Sequence, residues 1–152
     1  MIIDSTLQFS NGQAITSASA ASTYIADISI ARNIGVGAMQ LYLVVVCTET
    51  MVGAGATVTP SLRTSATATA AAPTGPLSGS ISTIPTSATA FAALSVAGTA
   101  QVIPLPPNTG YLRYIDVYYT LAGGTLSAGK FSAFIVADTD LQAFYAAGYT
   151  VY

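Results

Sequence analysis

Large apolar side chains recur at every second position along much of the chain, and turn residues separate the runs in which they occur. This two-residue period is typical of half-buried β-strands, while helix caps and a 3.6-residue period do not recur. The clearest strands are predicted at residues 41–47, 110–121 and 130–137, which are dense in Val, Ile, Leu, Tyr and Phe. The pattern therefore predicts an all-β protein with short strands.

Weaker strand signals lie between these segments. They are predicted at residues 14–17, 24–30, 57–63, 90–96 and 101–105. Pro60 and Pro104 lack the amide proton that a strand ladder needs, so their strands are expected at sheet edges or bulges. About eight or nine short strands with turns at this spacing are what an antiparallel two-sheet sandwich of jelly-roll-like architecture requires.

Glycine-containing segments mark the predicted connections. Residues 122–129 include three glycines between two strong strands, which predicts a β-hairpin. Residues 32–37 and 106–110 are interpreted as loops that pass from one strand to the next.

Residues 64–89 consist mainly of Ala, Thr, Ser, Gly and Pro, with Leu77, Ile81 and Ile84 as the large apolar exceptions. Such a composition offers little burial to offset the entropy of ordering, so a long loop insertion is expected, with a short strand near residues 80–84. Two interpretations stay open: a loosely ordered surface insertion, or an arm that becomes ordered only on a partner.

The chain has 152 residues and a mass of 15.4 kDa, which predicts one domain spanning residues 1–152. Charged residues make up only 7% of it, against about 25% in an average protein, and the net charge is -2. The basic residues are scattered singly: Arg32, Arg63, Arg113 and Lys130. Without a basic cluster, nucleic-acid binding is excluded as an expected function, and partners should be met through neutral surface.

No secretory signal or membrane span is expected. The start of the chain lacks a basic region followed by an apolar stretch of 7 to 15 residues, so the protein is expected to be made in the cytoplasm. The longest strongly apolar run is followed within a few residues by Glu49, far short of the roughly 20 residues that a spanning helix needs.

The residue types that perform most catalysis and zinc binding are scarce. The chain has no His, no serine lies in a Gly-x-Ser-x-Gly elbow, and the single cysteine, Cys47, falls in an apolar run that predicts a core position. Asp138 and Asp140 are close in sequence but are expected to form a polar turn, because calcium sites take six to eight oxygens. We predict no catalytic residue, no cofactor and no metal site.

One charge lies inside a predicted strand. Asp116 is flanked by Ile115 and Val117, where a lone buried carboxylate would be costly, so it is expected either to pair with Arg113 or to face solvent. The same strand has Tyr111 and Tyr119 on one side and Tyr114 and Tyr118 on the other, a pattern typical of a strand covered on both faces. Core packing, a subunit interface and stacking on sugars are all compatible with these tyrosines.

Several segments resemble small capsid cement proteins of tailed phages, of the Bordetella-phage type. The similar segments are residues 1–10, 13–16, 32–37, 41–45, 105–107, 111–113, 118–120 and 132–138, whereas residues 64–100 look different. The resemblance implies a jelly-roll-like domain without an active site, which binds the outside of a virion's HK97-type shell and bridges neighbouring major capsid protein subunits. It also implies self-association, with a dimer as the expected homo-oligomer.

Both ends of the chain carry large apolar side chains where terminal segments would otherwise fray. The candidate interface residues are Ile2, Ile3, Leu7, Phe9, Phe144, Tyr145, Tyr149 and Tyr152. An extended terminus can add to a neighbour's sheet edge, but the same residues could instead close the chain's own sandwich. Two other functions stay open, a carbohydrate-binding module of a fibre or surface lectin and a small self-assembling capsid protein.

Overall fold

The computed structural model describes residues 5–31, 34, 40–69, 76–92, 94–107 and 110–137. In this part of the chain the regular structure is β-sheet, apart from one short 3₁₀ helix, Ser5–Leu7. The strands are β1 (Gln8–Ala14), β2 (Ala20–Ala21), β3 (Ala26–Asp27), β4 (Leu41–Val52), β5 (Thr57–Ser65), β6 (Thr67–Ala68), β7 (Leu77–Ser78), β8 (Ser82–Ile84), β9 (Ala100–Pro104), β10 (Tyr114–Ala122) and β11 (Ala128–Ala137).

Two antiparallel sheets pack against each other. Sheet A has the strand order β1-β11-β4-β9, and sheet B has the order β2-β10-β5-β8, with β3 also paired to β10. The chain crosses between the sheets from β1 to β2, from β3 to β4, from β4 to β5, from β8 to β9, from β9 to β10 and from β10 to β11. This order is that of a jelly roll, so the predicted all-β, antiparallel two-sheet sandwich is confirmed.

The strong strand signals are confirmed in β4, β10 and β11, and the weaker ones at residues 57–63 and 101–105 in β5 and β9. The other three predicted strands differ from the structure. A strand was predicted at residues 14–17, but β1 ends at Ala14. Register shifts against β11 and a positive φ of 61° at Gly12 interrupt the regular pleat of β1, so its sequence does not show a two-residue period.

In the two remaining segments the chain leaves the sheet early. Residues 24–30 contribute only β3, since the Asp27 carboxylate accepts a hydrogen bond from the Ser29 amide and turns the backbone. Residues 90–96 contribute a single bridge between Phe91 and Val58, after which Leu94 adopts a positive φ of 66°.

The hairpin predicted at residues 122–129 is wrong. Strand β10 pairs with β2, β3 and β5 in sheet B, whereas β11 pairs with β1 and β4 in sheet A. The glycines allow the chain to cross between sheets, which a local turn signal does not distinguish from a hairpin. A side chain on Gly123, whose φ is 76°, would meet the Gly55 carbonyl oxygen, because the β4–β5 connection crosses beside it.

Alternate residues of the central strands meet between the sheets. The inner face of sheet A supplies Leu43, Val45, Phe131 and Ile135, and that of sheet B supplies Val58, Leu62, Ile115, Val117 and Tyr119. Phe131 packs edge-on against Phe91, with ring centroids 5.2 Å apart. Cys47 belongs to this cluster, so its predicted core position is confirmed.

The prolines occupy positions where no ladder bond is lost. Pro104 ends β9, the outermost strand of sheet A. Pro60 pairs with Tyr119 on one side, and its other side falls between the Val58–Phe91 bridge and the Leu62–Ile84 pair.

The Ala/Thr/Ser/Pro-rich stretch contains short elements in its described part. Strands β6 and β7 pair with each other and β8 adds to sheet B, while Leu77 and Ile84 are buried. Hydroxyl groups supply further bonds, such as the one from Thr67 Oγ1 to the Ser78 carbonyl oxygen at 2.9 Å. Hydroxyl groups thus reinforce the β6–β7 pair, while buried Leu77 and Ile84 supply apolar contacts.

Candidate functional site

Every charged side chain in the described part of the chain takes part in an ion pair. Arg63 pairs with Asp116, Arg113 with Asp27, and Lys130 with Glu49. Three positive and three negative groups therefore cancel within the protein, and the surface of this part offers no unpaired charge to a partner.

The Arg63–Asp116 pair is the most buried of the three. Asp116 is fully buried, and Arg63 donates to it from Nε at 2.9 Å and from Nη2 to the other oxygen. Burial raises the pKa of the Asp116 carboxyl, and the hydrogen bonds and charge of Arg63 oppose that rise. The expected pairing with Arg113 is wrong, because the β5–β10 register sets Arg63 directly opposite Asp116.

Arg113 instead holds Asp27, with Nε 3.0 Å from one carboxylate oxygen and Nη2 2.9 Å from the other. These hydrogen bonds lower the pKa of the Asp27 carboxyl. Each guanidinium also lies over a tyrosine ring of β10, Arg63 at 4.1 Å from the Tyr118 centroid and Arg113 at 4.8 Å from that of Tyr114.

These six side chains share the outer side of sheet B, which we call the paired-charge face. Its members are Asp27, Arg63, Arg113, Tyr114, Asp116 and Tyr118. The tyrosines predicted on the other side of the strand, Tyr111 and Tyr119, lie in the core, whereas Tyr114 and Tyr118 are half-buried. Tyr119 shares a 2.6 Å hydrogen bond with the Ser10 hydroxyl, and burial raises its pKa far above the ordinary value.

The outer side of sheet A is chemically different. Tyr42, Val44, Val46, Phe134 and Val136 form a second apolar cluster, separate from the core. We call this group the apolar face. Its strands are apolar on both sides, a signal visible in residues 41–47 that our interface prediction did not use.

Exposed apolar side chains follow the rim of sheet A at β9. Leu94 is 67% exposed, Val96 62% and Val102 44%. Residues 95–99 run beside β4 towards β9, with the Ser95 carbonyl accepting from the Met51 amide at 2.9 Å and the Thr99 carbonyl from the Cys47 amide at 2.8 Å. We call Leu94, Val96 and Val102 the β9 edge. The sequence pattern predicted strands at residues 90–96 and 101–105 but did not indicate that their apolar side chains form an exposed edge.

Two of the eight candidate interface residues lie in the described part. Phe9 is fully buried between the sheets and Leu7 is half-buried against the same core, so both help to close the chain's own sandwich. Ile2, Ile3, Phe144, Tyr145, Tyr149 and Tyr152 lie outside the described residues. The predicted loop at residues 32–37, except Ile34, and the predicted turn at Asp138 and Asp140 also fall outside them.

The described residues contain no group of three or more Cys, Asp or Glu side chains that could hold a metal ion. Burial raises the pKa of the Cys47 thiol, whose sulfur lies 3.1 Å from the Glu49 carbonyl oxygen. Among the described residues, no helix has the length and apolar character to cross a membrane.

The fold and its surfaces define a small jelly-roll domain with internally paired charges and an apolar rim. Residues 9–135 match the model of the Bbp16 family. The chain therefore belongs to the Bbp16 family, whose name suggests a Bordetella phage protein. Membership in a phage protein family suggests association with the virion. No curated protein matches the chain.

Proposed function

We propose that the chain is a capsid cement protein, which binds the outside of a phage head and bridges neighbouring major capsid protein subunits of an HK97-type shell. Its role is structural, with no reaction and no cofactor. The observation that carries the proposal is the β9 edge, an exposed apolar rim on a domain whose described charges are all paired internally. Membership in a phage protein family supports it.

The β9 edge suits attachment to another protein. Strand β9 is the last strand of sheet A among the described strands, so a partner segment could add to it through main-chain hydrogen bonds. The exposed Leu94, Val96 and Val102 would lose apolar surface to water in such a contact. Main-chain hydrogen bonds and apolar burial together would allow this neutral surface to bind another protein without charge complementarity.

Repetition would make a modest contact sufficient. A dimer that touches two capsomers makes its second contact intramolecularly, at a high effective concentration. We therefore propose a homodimer as the bridging unit, with each copy contacting one capsid subunit.

The carbohydrate-binding alternative would use the tyrosines on the outside of sheet B. There the Arg63 guanidinium lies over the Tyr118 ring, and the Arg113 guanidinium over the Tyr114 ring. Since these cations occupy ring surface that sugars would stack on, the geometry favours the cement function.

The test is decoration of empty major-capsid shells by the purified full chain, measured by co-sedimentation. The triple variant Leu94→Ser, Val96→Thr and Val102→Thr should bind at least about tenfold more weakly, which corresponds to a loss of 1.4 kcal/mol. Ile30→Ser combined with Ile81→Ser is the matched control, since both side chains are exposed and apolar but lie beside sheet B strands. This control should decorate shells as well as the unaltered chain.

The salt dependence of decoration and the binding to glycans distinguish the cement function from the lectin alternative. Decoration should change little between low and high ionic strength, because screening acts on unpaired charges. A steep loss with salt, or full decoration by the triple variant, would contradict the role of the β9 edge. Failure of the unaltered chain to bind shells, together with binding to a glycan array, would replace the cement function by the lectin alternative.

A further inference from the structure

Asn11 is followed by Gly12, and an asparagine before a glycine loses its side-chain ammonia readily, because glycine has no side chain to hinder attack by its own nitrogen. The other two asparagines of the chain, Asn33 and Asn108, precede β-branched residues, which hinder that attack. The Asn11 side chain is exposed on β1, an outermost strand of sheet A among the described strands. Asn11 is therefore the asparagine at which deamidation is chemically most favoured.

The Asn11–Gly12 pair forms a β-bulge. Strand β1 pairs with β11 up to Ser10 and again from Gln13, and only Ser132 of β11 lies opposite the two residues between them. Gly12 has a φ of 61°, and its amide donates a hydrogen bond to the Ser132 hydroxyl oxygen at 2.9 Å. Because Ser132 is buried, water does not readily replace this acceptor. The nitrogen that would attack Asn11 is thus held by a side chain of the neighbouring strand.

The residues on either side of the bulge are anchored. Before it, the Ser10 hydroxyl shares a buried hydrogen bond of 2.6 Å with the Tyr119 hydroxyl. After it, the Gln13 side chain donates to the Ala21 carbonyl oxygen at 2.7 Å and accepts from the Thr23 amide at 2.9 Å. These bonds tie both flanks to groups outside β1 and β11, so the bulge can open only locally while the chain stays folded.

We propose that Asn11 is a site of spontaneous deamidation and that the Ser132 hydroxyl slows this reaction in the folded chain. The attack needs the Gly12 nitrogen without its proton and turned towards the side-chain carbonyl carbon of Asn11. The hydrogen bond to Ser132 keeps the proton on that nitrogen and fixes the plane of its peptide group. It must therefore break before the reaction can start.

The reaction uses water as its only co-reactant. The Gly12 nitrogen forms a bond to the side-chain carbonyl carbon of Asn11, and the side-chain nitrogen leaves as ammonia with the proton of the Gly12 amide. The resulting succinimide ring adds one water, which breaks one of its two carbon–nitrogen bonds. Breakage at the former side-chain carbonyl leaves aspartate with a normal backbone, and breakage at the backbone carbonyl leaves isoaspartate.

Both products change the exposed edge of sheet A at β1. Each carries one carboxylate more than the original chain, on a surface where the charges of the described residues are already paired with one another. Isoaspartate also lengthens the backbone by one carbon inside the bulge. The age of the protein would thus alter the charge of this edge, whichever product forms.

The test follows the mass of the full chain at mildly alkaline pH, both folded and in guanidinium chloride, with peptide mapping to locate the change. In denaturant, residue 11 should gain the mass that replaces an amide by a carboxylate, and the folded chain should do so at least about tenfold more slowly. Ser132→Ala should raise the folded rate about fivefold, as expected for the loss of one ordinary hydrogen bond, and leave the rate in denaturant unchanged. Asn11→Gln should remove nearly all of the mass gain in both conditions.

Two variants control for effects other than the lost bond. Ser132→Thr keeps a hydroxyl group and should retain the slow folded rate. Ser127→Ala removes a hydroxyl that donates to the Val52 carbonyl oxygen instead, and it should also retain the slow rate. In Ser132→Ala, the rate should stay constant at denaturant concentrations below the unfolding transition, because local opening exposes little surface. A rate that rises there as global unfolding does would assign the acceleration to lost stability and overturn the role of Ser132.

Hydrogen exchange of the Gly12 amide in the unaltered chain needs no substitution, so it decides the role of the bond even if Ser132→Ala does not fold. This amide should exchange much more slowly in the folded chain than in denaturant, and equal rates would overturn the proposal. Equal deamidation rates in the folded and the denatured chain, or a mass gain located at another residue, would have the same consequence. All of these measurements use the isolated chain, so they are independent of decoration of shells.

Discussion

The outer faces of the two sheets differ in chemistry: sheet B carries paired charges, whereas sheet A carries mainly apolar side chains. On sheet B, β10 and β5 carry a buried carboxylate, and the Arg63 guanidinium directly across the register neutralises it and lies over a Tyr118 ring. On sheet A, β4 and β11 carry Val44, Phe134 and Val136 outward, and these three side chains have no polar group. The charged groups of the first face satisfy one another, whereas the second face consists mainly of apolar side chains.

The difference separates two kinds of specificity. A buried ion pair contributes little net stability but is costly to break, so the paired-charge face favours one register between β5 and β10. The apolar face gains stability from burial without directional bonds, so it tolerates any cover of suitable shape. We interpret the first as a device for register, and the second as a source of stability that does not select a register.

The largest loss of stability is expected from a substitution on the apolar face. Phe134→Ala should lower the free energy of unfolding by about 4 kcal/mol, since truncating a buried Phe removes its apolar contacts and leaves a cavity. Val102→Ala, on the same outer side but 44% exposed, is the control and should cost much less. Urea unfolding measures both. Equal small effects would mean that Phe134 is open to water, and the contrast between the two faces would disappear.

On the paired-charge face, Arg63→Ala should lower the free energy of unfolding by about 3 kcal/mol, because it leaves Asp116 buried without a partner. The double variant Arg63→Met and Asp116→Leu removes both charges and should recover most of that loss, as apolar replacements of buried pairs do. Urea unfolding again provides the measurement. A double variant less stable than Arg63→Ala would show that the ion pair itself stabilises the fold.

Because of Tyr119, on the inner side of β10, we expect the free energy of unfolding to depend on pH in the alkaline range. The folded pKa of Tyr119 is raised by burial, so above pH 10 the unfolded chain loses this proton while the folded chain keeps it. Stability from this group is fully present below pH 10, and falls by about 1.4 kcal/mol per pH unit above it. Tyr119→Phe should remove that slope in urea unfolding at successive pH values. Ser10→Ala with Tyr119→Phe controls for the lost hydrogen bond, and an unchanged slope would exclude Tyr119 as its source.

The smallest effect is expected at the exposed pair of the same face. Arg113→Ala should shift the urea midpoint only slightly, since the side chains of Arg113 and Asp27 are 48% and 26% exposed and water screens their attraction. High salt should reduce even that shift, while leaving the cost of Arg63→Ala nearly unchanged. A loss as large as that of Arg63→Ala would contradict the distinction between the buried pair and the exposed one.

Much of the architecture follows from local patterns. Strands β4, β10 and β11 are dense enough in β-branched and aromatic residues to be located without tertiary information. The alternation of the tyrosines predicted that Tyr111 and Tyr119 lie on the opposite side from Tyr114 and Tyr118, and only the structure shows that the first pair is the buried one. The core position of Cys47 followed from its apolar neighbours. Strand positions and the burial of Cys47 depend on residues that are close together in the chain, so a local pattern is enough to predict them.

Pairing partners were decided only by the tertiary structure. The glycines after β10 are equally compatible with a hairpin and with a crossing, and the packing of the two sheets selects the crossing. Asp116 pairs with Arg63, 53 residues away, and not with the nearby Arg113, because the register of two strands brings the former pair together. The β9 edge and the burial of the apolar face also depend on which strand lies outermost and what lies over a sheet. Long-range contacts of this kind leave no local signal, since they arise from the shape of the whole sandwich.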